Sequence, residues 1–156
     1  MKDDFEILVE KYADTVTRIC YVNLESRSDA EDAWQNVFIK LFKSKKLWDK
    51  PEEELRKWLV TVALNECRDI KRKLFQRNHY DIEELNISCS GDFNKDVIAA
   101  VRNLPIKYLQ VVVLYYFEGY TTAEISDILS ANENTVKSRL KRARELLKGE
   151  LIYEQF

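Results

Sequence analysis

The chain has 156 residues, 46% of them hydrophobic and 33% charged, which is enough apolar material for one ordinary domain or two small ones. Only three Gly and two Pro exclude a turn-rich sandwich or barrel and leave an all-α chain as the expected fold class. A net charge of −2 excludes nucleic-acid binding by the field of the whole molecule, so any such binding has to come from local cation clusters, as at Arg68 to Arg77 and Lys137 to Lys148.

The opening MKDDFEILVEKYAD sets acids among apolar residues and contains no secretory hydrophobic segment. From Asp3 to Tyr21, Phe5, Leu8, Val9, Tyr12, Val16, Ile19 and Cys20 recur at helical spacing and predict one amphipathic helix. The polar stretch Asn23 to Ser28 is expected to end it. A second helix is predicted over Asp29 to Phe42, with acids in its first turn, where the helix dipole favours them. Ala30, Ala33, Trp34, Val37, Phe38 and Leu41 form its core arc. The other arc sets Ile39 and Phe42 among Glu31, Asp32 and Gln35, on what should be the wet side. That mixture fits a docking surface for another protein, and it also fits packing against a neighbouring helix.

Lys43 to Pro51 reads as a basic, loop-like connection containing Trp48. Pro51 and Glu52 to Glu54 then open a long helix, EEELRKWLVTVALNECRDIKRKLF. Its core arc holds Leu55, Leu59, Val60, Ala63, Cys67, Ile70 and Leu74. Trp58, Thr61, Asn65, Arg68, Asp69 and Arg72 lie opposite. An exposed ring beside an amide and two arginines is equipment for single-stranded DNA, each stacked base contributing about 1 to 3 kcal/mol. The same pattern fits a tryptophan in an interhelical contact flanked by solvated arginines.

Helical periodicity lapses over Asn78 to Asn94, where Ser, Gly and Asn gather with Asp81, Glu83, Glu84 and Asp92. This predicts a flexible acidic linker, 78–94, between a first domain of 1–77 and a second of 95–152. The second half begins with a helix from Lys95 to Asn103. Another starts after Pro105 and closes at Gly119; its valines would tolerate a strand, but the flanking helical signals decide for helix. Val111 to Phe117, the longest apolar run, is far short of the roughly 20 residues that cross a bilayer, so direct membrane insertion is not expected and a cytoplasmic protein is.

Thr121 to Leu147 reads as two helices joined by a tight polar turn. Thr121 followed three residues later by Glu124 has capping-box spacing, and Asn132 is suited to cap the next helix. In that last helix Val136, Leu140, Ala143 and Leu147 share a narrow arc. Asn134, Lys137, Ser138, Lys141, Arg142 and Glu145 occupy the opposite one. A basic, hydrogen-bonding face of this kind fits a recognition helix in a major groove, and equally a solvated surface; the short capped turn favours the former.

Cys20, Cys67 and Cys89 are odd in number and widely spaced, which suits a reducing compartment better than a disulfide framework. With the lone His79 they present no metal-ligand spacing, and no metal or cofactor is expected. No glycine-rich phosphate loop or nucleophile–base constellation is present, which argues against an enzyme.

These residues together resemble the bacterial sigma-70 family, and within it the small extracytoplasmic-function (ECF) sigma factors. DAEDAWQNVFIKLF looks like that family's core-polymerase-binding helix, and KWLVTVALNECRDIKRK like its minus 10 helix. LPIKYLQVVVLYYFEGYTTAEISDILSANENTVKSRLKRARELL looks like its minus 35 domain. The likeness runs through nearly the whole chain in the family's order. It implies two small helical domains that bind core RNA polymerase, through the clamp helices of its largest subunit and its flap, bring it to promoter DNA and help open the duplex. Carried over residue by residue, polymerase binding falls on Glu31, Asp32, Gln35, Ile39 and Phe42. Minus 10 reading falls on Trp58, Thr61, Asn65, Arg68 and Arg72, with Lys43 to Lys50 as the base-specificity loop. Minus 35 contacts fall on Asn134, Lys137, Ser138, Lys141 and Arg142. The resemblance also implies an anti-sigma factor as a partner. Where the family usually has a glycine in the turn, this chain has Ser130-Ala131-Asn132. The C-terminal half alone also resembles response-regulator DNA-binding domains, so a stand-alone helix-turn-helix regulator is the alternative.

Overall fold

The computed structural model describes residues 3–77 and 95–151. The stretch read as an acidic linker lies outside them, together with His79 and Cys89. The chain divides into two compact units, Met1–Ser90 and Gly91–Phe156. Every regular element among the described residues is helical.

The first unit packs three helices, α1 (Asp4–Asn23), α2 (Arg27–Lys43) and α3 (Glu52–Arg77), each against the other two. The Asp3 carboxylate accepts the Glu6 amide at 2.8 Å and so starts α1. Val16, Ile19 and Cys20 from α1, Val37 and Leu41 from α2, and Leu55, Leu59 and Ala63 from α3 are fully buried together. Each such leucine or isoleucine contributes about 1.5 to 3 kcal/mol through loss of contact with water.

The polar break expected at Asn23 to Ser28 is shorter than its composition suggests. Asn23 is buried inside α1 because its side-chain amide donates to the Ile19 carbonyl at 2.7 Å, which removes the cost of burying it. Leu24 then turns the chain with its side chain in the core, and its amide closes on the Cys20 carbonyl at 3.0 Å. α2 therefore starts at Arg27, two residues earlier than expected, capped by the Ser26 hydroxyl, which accepts the Asp29 amide at 3.3 Å.

Two polar links hold α3 in register. At its start, Lys11 pairs with Glu52 at 3.3 Å. Midway, Glu66 is buried to 8% exposure and receives Lys40 and Asn36 from α2. A carboxylate at that depth is tolerable only with such donors. Cys20 and Cys67 are buried free thiols, and a hydrogen bond between them, with burial, pushes the Cys20 thiol well above its ordinary range. A thiol held protonated in this way acts as a small core side chain.

The second unit comprises α4 (Lys95–Arg102), α5 (Ile106–Val112), α6 (Thr122–Leu129) and α7 (Glu133–Leu151). α4, α5 and α6 all pack on α7, around Leu109, Val113, Leu114, Ile125, Val136 and Leu140. The helix expected to run unbroken from Pro105 to Gly119 instead widens after Val112 into a π turn, Val113–Phe117. The Glu118 amide reaches five residues back to the Val113 carbonyl at 3.0 Å, and Gly119 leaves the turn at φ +75°, a region where a side chain is strained.

Candidate functional site

On α2, successive steps of about 100° put Glu31, Asp32, Gln35, Ile39 and Phe42 in one stripe, and all five are exposed. Ile39 is 49% and Phe42 53% exposed. Phe42 nonetheless has an intramolecular partner, since its ring meets Phe5 of α1 edge-on with centroids 5.1 Å apart. The two readings of this face therefore meet in one residue: Phe42 braces α2 against α1 and still offers half its surface outward. Beside the stripe, Thr17 and Tyr21 of α1 and Glu31, Trp34 and Gln35 of α2 line a hollow of about 290 Å³.

The connection after α2 is more ordered than its composition suggests. Lys45–Leu47 forms one 3-10 turn. The Trp48 indole N–H donates to the Leu41 carbonyl at 2.9 Å, and its ring stacks on Phe5 at 5.6 Å. Trp48 thus pins the loop to the bundle, while Lys43, Lys45, Lys46 and Lys50 remain exposed along it.

Along α3, Trp58, Thr61, Asn65, Arg68 and Arg72 lie in one arc away from the core, spanning about 20 Å at 1.5 Å per residue. Asn65, Arg68 and Arg72 are exposed, but Trp58 is half-buried, between the exposed ring and the interhelical contact that its position allowed. The Thr61 hydroxyl donates to the Lys57 carbonyl of its own helix at 2.8 Å. A more open aromatic does stand near this arc, at Phe75, which is 72% exposed on the flank that carries Arg68 and Arg72. The sequence signal for it was a phenylalanine out of step with the core arc of α3.

In the second unit the local signals hold atom by atom. The Thr121 hydroxyl accepts the Glu124 amide at 3.1 Å and the Glu124 carboxylate accepts the Thr121 amide at 3.0 Å, completing the capping box of α6. Asn132 caps α7 by accepting the Asn134 amide at 2.8 Å. Between them Ser130 takes φ 52°, ψ 44°, the left-handed conformation that a glycine would adopt without strain. The Ser126 hydroxyl donating to the Ala131 carbonyl and the Thr122 hydroxyl donating to Glu133 at 2.9 Å hold the turn.

The turn aims α7 so that Asn134, Lys137, Ser138, Lys141 and Arg142 are all exposed, while Val136, Leu140 and Ala143 are buried. Two of the cations carry local partners: Lys137 lies 3.8 Å from Glu133, and Arg142 3.2 Å from Glu145. Exposed pairs of this kind contribute little, so they orient the side chains without committing them. Among the described residues no helix is long and apolar enough to cross a membrane.

Comparison with known proteins bears on these surfaces. The sequence profile of Sigma-70 region 2 matches residues 8–77, which hold α2 and α3 with both candidate surfaces of the first unit. That of Sigma-70, region 4 matches residues 94–147, which hold the helix-turn-helix. The chain is 28% identical to the ECF RNA polymerase sigma factor SigW of Bacillus subtilis (strain 168), over 96% of this chain and 90% of that one. It is 29% identical to the RNA polymerase sigma factor SigV of the same organism, over 88% and 84%. Among solved structures, the sigma factor RpoE in its co-crystal with the anti-sigma factor NepR from Bartonella quintana shares the fold, with a TM-score of 0.82, 19% identity and coverage of 97% of this chain and 99% of that one. Two region profiles in the family's order, on the two units that carry the three surfaces, place the chain: it belongs to the sigma-70 family and is similar to its extracytoplasmic-function members.

Proposed function

We propose that this chain is a specificity subunit that binds core RNA polymerase, directs it to minus 35 and minus 10 promoter elements and promotes opening of the DNA, without catalysing a reaction itself. The observation that carries this is the presence, on one chain, of three separate surfaces suited to three partners. Glu31, Asp32, Gln35, Ile39 and Phe42 form an exposed acidic and apolar stripe suited to a protein, here the clamp helices of the largest polymerase subunit. Trp58, Asn65, Arg68 and Arg72, with the pinned basic loop before them, are suited to unpaired bases and their backbone, and Thr61 sits among them tied to its helix. Asn134, Lys137, Ser138, Lys141 and Arg142 face outward from a capped helix-turn-helix and are suited to a major groove. The work would be done in the cytoplasm, where the polymerase is. RpoE was crystallised with an anti-sigma factor, and by that likeness an anti-sigma factor is a further partner proposed for this chain.

The test is transcription reconstituted from the purified chain, core polymerase and genomic DNA, with start sites mapped. Accurate new starts that depend on the chain support the proposal. Activation seen only when a complete holoenzyme is supplied would make the chain a stand-alone helix-turn-helix regulator. In the same assay Trp58→Ala is expected to slow opening, by the roughly 1 to 3 kcal/mol of one stacked base, with little change in closed-complex binding. Permanganate reactivity of unpaired thymines reads this directly.

A further inference from the structure

The start of α5 and the first three turns of α7 border an open hollow of about 440 Å³. Lys107 and Tyr108 line it from α5, and Asn134, Thr135, Ser138, Arg139 and Arg142 from α7. Three of these seven are cations, and no carboxylate is among the described residues lining the hollow. Lys107 is exposed, with its ammonium 5.0 Å from the centroid of the Tyr108 ring. Arg142 is shared with the proposed reading face and pairs with Glu145 at 3.2 Å. Lys107, Tyr108, Thr135 and Arg139 belong to no surface described above.

Their position on the helices gives them a use. At about 100° per residue, Arg139 falls between the core arc of Val136, Leu140 and Ala143 and the outward arc of Ser138 and Arg142. It is half-buried, on the flank of α7 that faces α5. A major groove is about 12 Å wide and a helix with its side chains about 10 to 12 Å across. A helix lying in the groove therefore brings its flanks against the phosphate ridges on either side. Arg139 on one flank and Lys107 on the adjoining helix converge where such a ridge runs.

We propose that this hollow seats a backbone phosphate of duplex DNA beside the bases that α7 reads, with Lys107 and Arg139 as the cationic grip and the hydroxyls of Tyr108 and Thr135 as hydrogen-bond donors. The proposal rests on α7 being the duplex reader. A phosphate contact carries no sequence information; it sets how deep and in which register the reading helix lies.

The test uses the chain assembled with core polymerase and two labelled duplexes of equal length, one bearing the upstream element found by start-site mapping and one with that element scrambled. Binding is measured by anisotropy over a series of salt concentrations. Lys107→Ala is expected to weaken both duplexes alike, by about eightfold at 0.1 M salt, and to flatten the logarithmic salt dependence by about 0.9. Lys107→Arg should restore both values, and Arg139→Ala should repeat the loss. An unchanged salt slope in Lys107→Ala, with Lys141→Ala still losing its preference for the mapped element, overturns the phosphate seat and leaves the reading of α7 intact. A loss confined to the mapped duplex also overturns it, because Lys107 would then be reading a base. If Lys141→Ala too has no effect, the duplex-reading role fails and the seat fails with it.

Discussion

The two units present their surfaces by opposite physics. The first exposes large apolar side chains, Ile39, Phe42 and Phe75, beside acids on α2 and arginines on α3, over a bundle locked internally by the Glu66 cluster. The second presents amides, hydroxyls and cations from α7, whose own Val136, Leu140 and Ala143 are turned inward. Apolar contact scales with area and resists salt, whereas a cationic face works by displacing counterions and weakens as salt rises. In a chain of net charge −2, local clusters of exposed cations on both units supply the positive field that the whole molecule lacks.

The largest expected effect tests whether the two units stand independently. Leu140→Ala, at a core position of the second unit, is expected to cost about 2 to 5 kcal/mol, so urea denaturation followed by circular dichroism should split into two transitions, only the lower one shifted. A single transition displaced as a whole would merge the units into one cooperative body. Next in size, Ile39→Asn should weaken binding to core polymerase by about 2 kcal/mol, close to thirtyfold, and by the same factor at low and high salt. A loss that fades with added salt would show that the acids of the stripe, not its apolar residues, carry the contact.

Lys141→Ala is expected to cost about 1 kcal/mol of discrimination between the mapped upstream element and its scrambled counterpart, measured by competition at fixed salt. Equal weakening of both would make Lys141 a phosphate contact and blur the distinction drawn between α7 and the α5 hollow. Smallest of all, Ser130→Gly should stabilise the second unit by about 0.5 kcal/mol, because relief of the left-handed strain exceeds the extra freedom glycine gives the unfolded chain. Destabilisation in thermal melts would mean that the serine side chain contributes to the turn.

What could be read from sequence follows the same division. The helix-turn-helix was legible almost atom by atom, because a capping box and an Asn cap are contacts within three residues of each other. The three helices of the first unit were legible from periodicity and from the acids and proline at their starts. What failed depended on partners distant in sequence or on register inside a uniform run. Trp58 is half-buried by its tertiary surroundings, and Trp48 serves as an anchor because Phe5 and the Leu41 carbonyl wait for it. Asn23 reads as a break until its amide is seen to return to Ile19. The π turn is invisible in Val111 to Phe117, where every residue is apolar and one phase looks like any other.

That widened turn has a further consequence. It absorbs one residue beyond an ordinary helical ladder, so removing a single codon from Val113–Phe117 would let the ladder close in the common way with everything downstream near its present bearing, whereas a second such loss would swing it by about 100°. After that second loss Gly119, the capping box and the final helix would arrive with their sequences intact and their bearings wrong. Among natural variants, a chain one residue shorter here should therefore be commoner than one two residues shorter.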